Sequence, residues 1–361
     1  TFKKFKLPTS LANREKNGPN PLAFHEKYMD WMIWMGNDEC KGDDCVPDAY
    51  FSKNRGADWE GPDLRGVGQC VFAHHNGREN SENLVLCEQY EKESKKNNRQ
   101  LVSSDSKDNW FGDRKVINEN IAHFVTMNDY IVVATFPTEK RKYLNVSTSM
   151  DGRVFAQANF PINVDVQQYT VLPGSTDALF LFVQINSEPG HGFGQLVKSN
   201  SNGTYFVSSL TAVNVDDRGY VDFEKIANLE GVALANIVSN FDDVKNKGAS
   251  KKLRSVITHN DGGQWALLPP PTRDVEGKKF ACSVTEGKGT ESCALHLHSY
   301  TERRDWRDTF YSGSAIGALI GVGNVGEYLS SADSEDVGTF LSNDGGISWN
   351  QVKKGRYMFE F

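Results

Sequence analysis

One short turn motif recurs six times along the chain. Its clearest copies are Thr258–Trp265 (THNDGGQW) and Ser342–Trp349 (SNDGGISW), both of the form Ser/Thr-x-Asp/Asn-x-Gly-x-x-Trp. Looser copies start at Ser52 (SKNRGADW), at Ser103 (which reads SDSKDNW from Ser104 on), at Thr148 (TSMDGRVF) and at Ser199 (SNSNGTYF). Successive starts lie 51, 45, 51, 59 and 84 residues apart. A period near fifty residues holds four short strands and their turns. Stacking such units buries sheet faces that no single unit could cover, which is the construction of a β-propeller.

Each slot of the motif has a local chemical reason. The Asp or Asn accepts backbone N–H groups within a hairpin turn, and the leading Ser or Thr hydroxyl closes it. Gly56, Gly152, Gly203, Gly262 and Gly346 share one slot, which calls for a positive φ. The aromatic in the last slot (Trp59, Trp110, Phe155, Phe206, Trp265, Trp349) tucks its ring under the turn. This is the Asp-box. It is a structural device found in sialidases, other glycosidases and sorting receptors, so it names no activity by itself.

The sequence between boxes reads as strands. Tyr130–Phe136, Ala178–Ile185, Val232–Val238 and Leu253–Thr258 are short apolar or alternating runs, and Ala294–Tyr300 alternates with period two. Val221–Leu229 is the one segment with a short helical or mixed pattern, and Asp242–Lys252 reads as a plain surface loop. No run of 18 apolar residues occurs in the 361, so no membrane-spanning helix is expected within the chain. Thr1-Phe2-Lys3-Lys4 is not a signal peptide, and Met358–Phe361 ends on a strand-like run, so an excised fragment is expected. The net charge of −7, without a basic stripe, argues against nucleic acid as a partner.

Six cysteines form three close pairs in sequence, Cys40/Cys45, Cys70/Cys87 and Cys282/Cys293. Fifteen connectivities are possible, and local pairing is the first expectation. Three disulfides imply an oxidising compartment. A zinc site is disfavoured because no spacing is Cys-x-x-Cys and no histidine pair accompanies the cysteines. Two sequons, at Asn145 and Asn202, agree with a secretory route.

Between the last two boxes the chain reads Cys293-Ala-Leu-His-Leu-His-Ser-Tyr300, then Gly317-Ala-Leu-Ile-Gly-Val-Gly-Asn-Val-Gly326, then the box at Ser342. Pro21–His25 followed by Asp30–Trp34, Glu188-Pro-Gly-His-Gly-Phe-Gly194 and Ile257–Trp265 occur in the same order. This succession resembles the sortilin family of receptors over nearly the whole chain. His298–Trp306 and the Cys40–Cys45 insertion look like the family's fungal vacuolar members. The resemblance implies an all-β fold, an Asp-box propeller. Residues 1–361 would supply about seven blades of a ten-bladed ring, at roughly fifty residues each, with the remaining blades and the cysteine-rich modules elsewhere. It also implies the luminal part of a type I receptor that carries soluble vacuolar hydrolase precursors, of the carboxypeptidase Y class, from late Golgi to endosome. No cofactor and no catalysis are implied.

The resemblance implies peptide binding at the inner edge of a blade, with backbone strand addition as a mode. The matching segment nominates Leu196, Val197 and Ser199, although the family's basic clamp for a peptide carboxylate has no counterpart between Ser201 and Leu210. His191, beside the Gly-Phe-Gly turn, is a candidate for pH-dependent release. Other features carry less. Gly321–Gly326 is formally Gly-x-Gly-x-x-Gly, but a turn-rich stretch follows where a nucleotide fold needs a helix. His296 and His298 share a strand face without a third metal ligand, and His74-His75 reads as loop. Arg303, Arg304 and Arg307 around Trp306 form either a protruding partner-binding loop or a solvated one. The rival function is a secreted Asp-box glycosidase such as a sialidase, against which stands the lack of an Arg-Ile-Pro segment.

Overall fold

All six boxes close the hairpin between the third and fourth strand of an antiparallel meander. The computed structural model describes residues 6–10, 20–38, 46–74, 81–91, 98–105, 110–112, 114–137, 144–161, 169–172, 178–282, 287–299, 301, 310–312 and 315–357. The chain divides into two compact units. The first holds Thr1–Asn159 with Asn202–Tyr205, and the second Phe160–Ser201 with Phe206–Phe361.

Three four-stranded sheets make up the first unit. They are β1 (Leu22–Phe24) to β4 (Glu60–Leu64), β5 (Val67–Phe72) to β8 (Lys115–Asn118), and β9 (Ile121–Met127) to β12 (Ala156–Gln157), each ordered as in sequence. The second strand of each is buried on both faces. In β10 (Tyr130–Thr135) the first five residues are all buried, because each sheet is covered by its neighbour. One core joins the first two sheets through Ile33, Phe51, Val85, Val102 and Trp110, and another joins the last two through Leu86, Leu101, Phe124, Ile131 and Val133. Phe51 and Trp110 stack with their ring centroids 4.9 Å apart. Sheets stacked face on face are what a propeller requires.

In the second unit, β13 (Tyr169–Leu172) to β16 (Phe206–Asn214) and β17 (Phe223–Lys225) to β20 (Ala266–Leu267) are two meanders joined by the single pair Val213↔Ile237. A five-stranded sheet follows. Its β23 (Leu319–Gly326) pairs β24 (Gly338–Ser342) along one edge. Both β21 (Ala294–Leu297) and β22 (Phe310–Ser312) pair β23 as well. Strand β25 (Asn350–Lys354) completes the sheet.

Three boxes show the expected pair of bonds, and a fourth shows it with a shift of register. Gly346 N–H donates to Ser342 Oγ at 2.9 Å, and Ser348 N–H to Asp344 Oδ1 at 2.9 Å. The same two bonds recur from Gly262 and Gln264 to Thr258 and Asn260, and from Gly56 and Asp58 to Ser52 and Asn54. All five box glycines have φ between 71° and 86°. In the third box of the first unit, however, Ser149 and not Thr148 accepts the glycine N–H, while Asp151 caps Arg153 and Val154. Thr148 Oγ donates instead to Gly203 O at 2.7 Å. Likewise Ser209 Oγ reaches Gly262 O, and a His259 ring nitrogen lies 3.0 Å from Gly345 O. A glycine carbonyl in one box is thus held by a side chain from the preceding blade.

Burial pushes the Asp344 carboxyl up, but the donors Ser348, Ser342 and Ile347 outweigh it and hold it below the ordinary carboxylate range. Asp344→Ala is therefore expected to lower stability by about 1 kcal/mol, as loss of a cap does. The loss should be full above the unfolded carboxyl's pKa and vanish as pH falls through the lowered folded value. Urea titrations of both proteins at pH 7 and pH 3 would check it.

Two segments differ from expectation. Val221–Leu229 forms the short strand β17 and a turn, because Phe223 and Glu224 pair Ala235 and Leu234. The only helix among the described residues is α1 (Phe241–Lys247), inside the stretch read as a surface loop. It is built by charge: Asp242 and Asp243 sit in its first turn, Lys245 and Lys247 in its last, and Gly248 ends it at φ 63°. Gly321–Gly326 lies within β23. A Cβ on Gly323 would fall 1.8 Å from His296 O, so that glycine serves strand contact.

Candidate functional site

A buried polar seam runs between the last two blades of the second unit. An Asx turn sets it up: Asp216 Oδ1 accepts the N–H groups of Arg218 and Tyr220. The chain therefore doubles back after β16 and places Asp222 opposite Asn214, with Asp222 N–H donating to Asn214 O at 3.0 Å. Asn236 from β18 (Ala233–Val238) and Ser255 from β19 (Leu253–Thr258) extend the seam toward β21.

The Asp222 side chain is buried, and four donors reach it. Oδ2 accepts from Asn214 Nδ2 at 2.8 Å, Asn236 Nδ2 at 3.3 Å and Thr301 Oγ at 2.9 Å. Oδ1 accepts from Thr301 N–H at 2.9 Å. Burial pushes this carboxyl above its ordinary pKa, and the bonds from Asn214, Thr301 and Asn236 pull back against it. Lys251 Nζ donates to Asn214 Oδ1 at 2.8 Å, so the amide relays between an acid and an amine. Burial lowers the Lys251 pKa, while Asp222, Asp217 and Asp216 raise it.

Across the seam, Asn236 Nδ2 also donates to Leu297 O, and Ser255 Oγ donates to Asn236 Oδ1 at 2.6 Å. Leu297 N–H returns a bond to Ser255 Oγ at 2.8 Å. Ser255 N–H donates to His296 Nδ1 at 3.0 Å, and His296 Nε2 donates to Gly326 O at 3.1 Å. That pattern fixes the neutral Nε2–H tautomer. Burial foremost pushes the imidazole down to about 4; the Gly326 bond raises it and the Arg254 charge lowers it further. Both ring nitrogens are committed to protein partners, so His296 is a packing histidine and not a metal ligand. Both Asp222 oxygens also accept bonds from protein donors. The seam joins blades; it does not present a base or nucleophile to a substrate.

The residues nominated from sequence lie elsewhere. Leu196 and Val197 are fully buried in β15 (Phe193–Ser199), and Ser199 is nearly so. Strand β15 is the third of its meander, paired with β14 (Phe180–Asn186) on one side and β16 on the other. Ser199 Oγ accepts Leu179 N–H at 2.9 Å. An added strand needs a free backbone edge, which this position lacks, so the edge assignment of these three residues is corrected. His191 is half-buried in a turn, with Nδ1 3.0 Å from Pro189 O and its N–H donating to Glu188 O. Asn145, at the start of β11 (Asn145–Ser149), and Asn202, at a box tip, are both exposed.

Cys70 and Cys87 are bonded across directly paired positions of β5 and β6 (Val85–Tyr90), and Cys282 is bonded to Cys293. Cys40, Cys45, His75, Arg303, Arg304, Trp306 and Arg307 lie outside the described residues. His74 stacks on His25 with ring centroids 5.1 Å apart. Sequence reasoning missed the seam. Its one available signal was a set of polar residues, Asn214, Asn236 and Ser255, set in apolar strands.

Stacked Asp-box meanders joined by a buried polar seam define an Asp-box propeller. A family profile for Sortilin-Vps10 (sortilin, neurotensin receptor 3) matches residues 1–361. The chain belongs to that family, which is one of sorting receptors and not of enzymes, and the glycosidase reading is set aside. It is 59% identical over 363 residues to vacuolar protein sorting/targeting protein 10 of Penicillium rubens, covering all of this chain and 24% of that protein. It is 53% identical over 365 residues to the protein of the same name from Aspergillus fumigatus, with the same coverage. The chain thus spans about a quarter of the length of the curated relatives it matches. Among solved structures it is similar to the β-propeller domain of the Trilobed protease from Pyrococcus furiosus, at 9% identity and TM-score 0.39, covering 98% of this chain and 85% of that one. No helix among the described residues is long and apolar enough to cross a membrane.

Proposed function

We propose that the chain is a luminal, cargo-binding part of a vacuolar sorting receptor, supplying about seven blades of a ten-bladed propeller. Family membership over residues 1–361 is the observation that carries the reading. The cargo is a soluble vacuolar hydrolase precursor of the carboxypeptidase Y class. It is taken up in the late Golgi and released in an endosomal compartment, and the membrane anchor and remaining blades belong to the larger receptor.

Strand addition to a first strand is the favoured mode. Among the described residues β9 is paired along one edge only, by β10, and offers seven residues of backbone. Leu196, Val197 and Ser199 would act as packing within their blade. Disulfides at Cys70–Cys87 and Cys282–Cys293 support an oxidising lumen, and the exposed Asn145 and Asn202 are the positions proposed to carry glycans.

Calorimetry of the complete receptor ectodomain with carboxypeptidase Y precursor at pH 7 and pH 5 tests the reading. Binding at neutral pH that weakens at least tenfold in acid is expected; no binding at either pH would overturn the cargo assignment. If His191→Gln leaves the ratio of the two affinities unchanged, that histidine is not the release switch.

A further inference from the structure

We propose that Asp222 is a charge-dependent latch between the last two blades: ionised, it holds Thr301 against the β17–β18 hairpin, and protonated, it loosens the Thr301 backbone while the rest of the seam stays closed. The geometry supplies the asymmetry. Oδ2 accepts three donors and Oδ1 only one, the Thr301 N–H. A proton placed on Oδ2 would face three N–H or O–H groups, whereas on Oδ1 it would face one. Protonation therefore falls on the open lone pair of Oδ1 and turns the charge-assisted bond from Thr301 N–H into a weaker one to a neutral hydroxyl oxygen.

Thr301 is tied at its other atoms as well, which makes it the anchor where the chain leaves β21. Its Oγ lies 3.1 Å from Asn214 Nδ2, and Arg218 donates to its carbonyl at 3.3 Å. The charged and titratable groups around the latch are few. Lys251 acts through Asn214, and Arg218 acts through Thr301 O with its charge paired to Asp216. Asp217 faces the Lys251 side. His296 is reached only through Asn236 and Ser255, and its ring is held neutral by two partners. His298 lies buried one residue beyond β21, with its backbone N–H on Val322 O. None of these donates to Oδ1, so the Thr301 amide reports on Asp222 alone.

The amide of Asp222→Asn removes the negative charge and the Oδ1 acceptor together. Its carbonyl keeps the three donors, and its NH2 opposes Thr301 N–H. Residue-resolved hydrogen exchange of the native protein and of this variant, at pH 7 and pH 5 and corrected for intrinsic rates, gives the test. Protection at Thr301 is expected to fall roughly ten- to hundredfold in the variant, the loss of one bond to a charged group. It should fall in the native protein on acidification and lose its pH dependence in the variant. Leu297, whose N–H donates to Ser255 Oγ, should keep its protection throughout. Unchanged protection at Thr301 in both arms would overturn the proposal, as would equal losses at Thr301 and Leu297. If Asp222→Asn does not fold, the pH arm on the native protein decides.

Discussion

Trp349→Ala is expected to destabilise the second unit by about 3–5 kcal/mol, the range for emptying a large buried aromatic site. The ring is 3% exposed. It packs in the cluster that holds Ile257, Leu297, Leu319 and Phe340, drawn from four different strands of two adjacent sheets. Its Nε1–H also donates to Gly346 O at 3.1 Å, so truncation leaves a buried carbonyl short of a partner. Trp265 occupies the same motif slot but is only half-buried, and its Nε1–H donates to Ser209 Oγ at 3.2 Å. Trp265→Ala should therefore cost less than Trp349→Ala. Denaturant titrations followed by exchange of residues 319–326 would measure both. Equal losses would mean that the motif slot, and not burial, sets the energy.

Between pH 6.5 and about 4 the native fold is expected to lose stability on the order of 3 kcal/mol through His296 alone, at 1.4 kcal/mol per pKa unit. The folded imidazole titrates at about 4, below the 6.5 of an unfolded histidine. Below 6.5 the unfolded chain binds a proton that the folded chain refuses, so stability is fully present above that value and drains as pH falls to about 4. Asp222 acts in the opposite sense, since burial raises its folded value and lowering the pH relieves the buried charge. The net slope is therefore shallower than His296 alone would give. Comparison with His296→Gln isolates the imidazole. The variant should be less stable at pH 7, yet lose less on acidification. Parallel pH profiles for the two proteins would show that His296 does not titrate as its burial demands.

Boxes and strands were legible because their causes are local. A Ser, an Asp and a Gly spaced two apart over five positions specify a turn whatever surrounds them, and bulky β-branched and aromatic residues specify the strands between. The register slip at Ser149 arose because Thr148 and Ser149 are chemically equivalent until a distant glycine, Gly203, takes up one of them. Helix α1 has a single buried residue, Val244, so it offered no apolar period to find. The edge assignment at Leu196–Ser199 failed for a different reason. Alternation reports which face a side chain occupies, but in β15 both faces are covered, and being an edge depends on strand order. The seam was invisible because its bonds join residues up to 87 positions apart.

The bonds between successive boxes separate two lengths that are easily confused. Thr148 reaches a glycine carbonyl 55 residues ahead, Ser209 one 53 ahead, and His259 one 86 ahead. The same short contact thus closes over contour lengths that differ by some thirty residues. Blade spacing is metered at the turns, and the polypeptide between them can grow without disturbing the meter. Surplus chain between the boxes is free to diversify while the scaffold keeps its pitch. A lineage can acquire new recognition surface there by simple insertion, with no compensating change in the core.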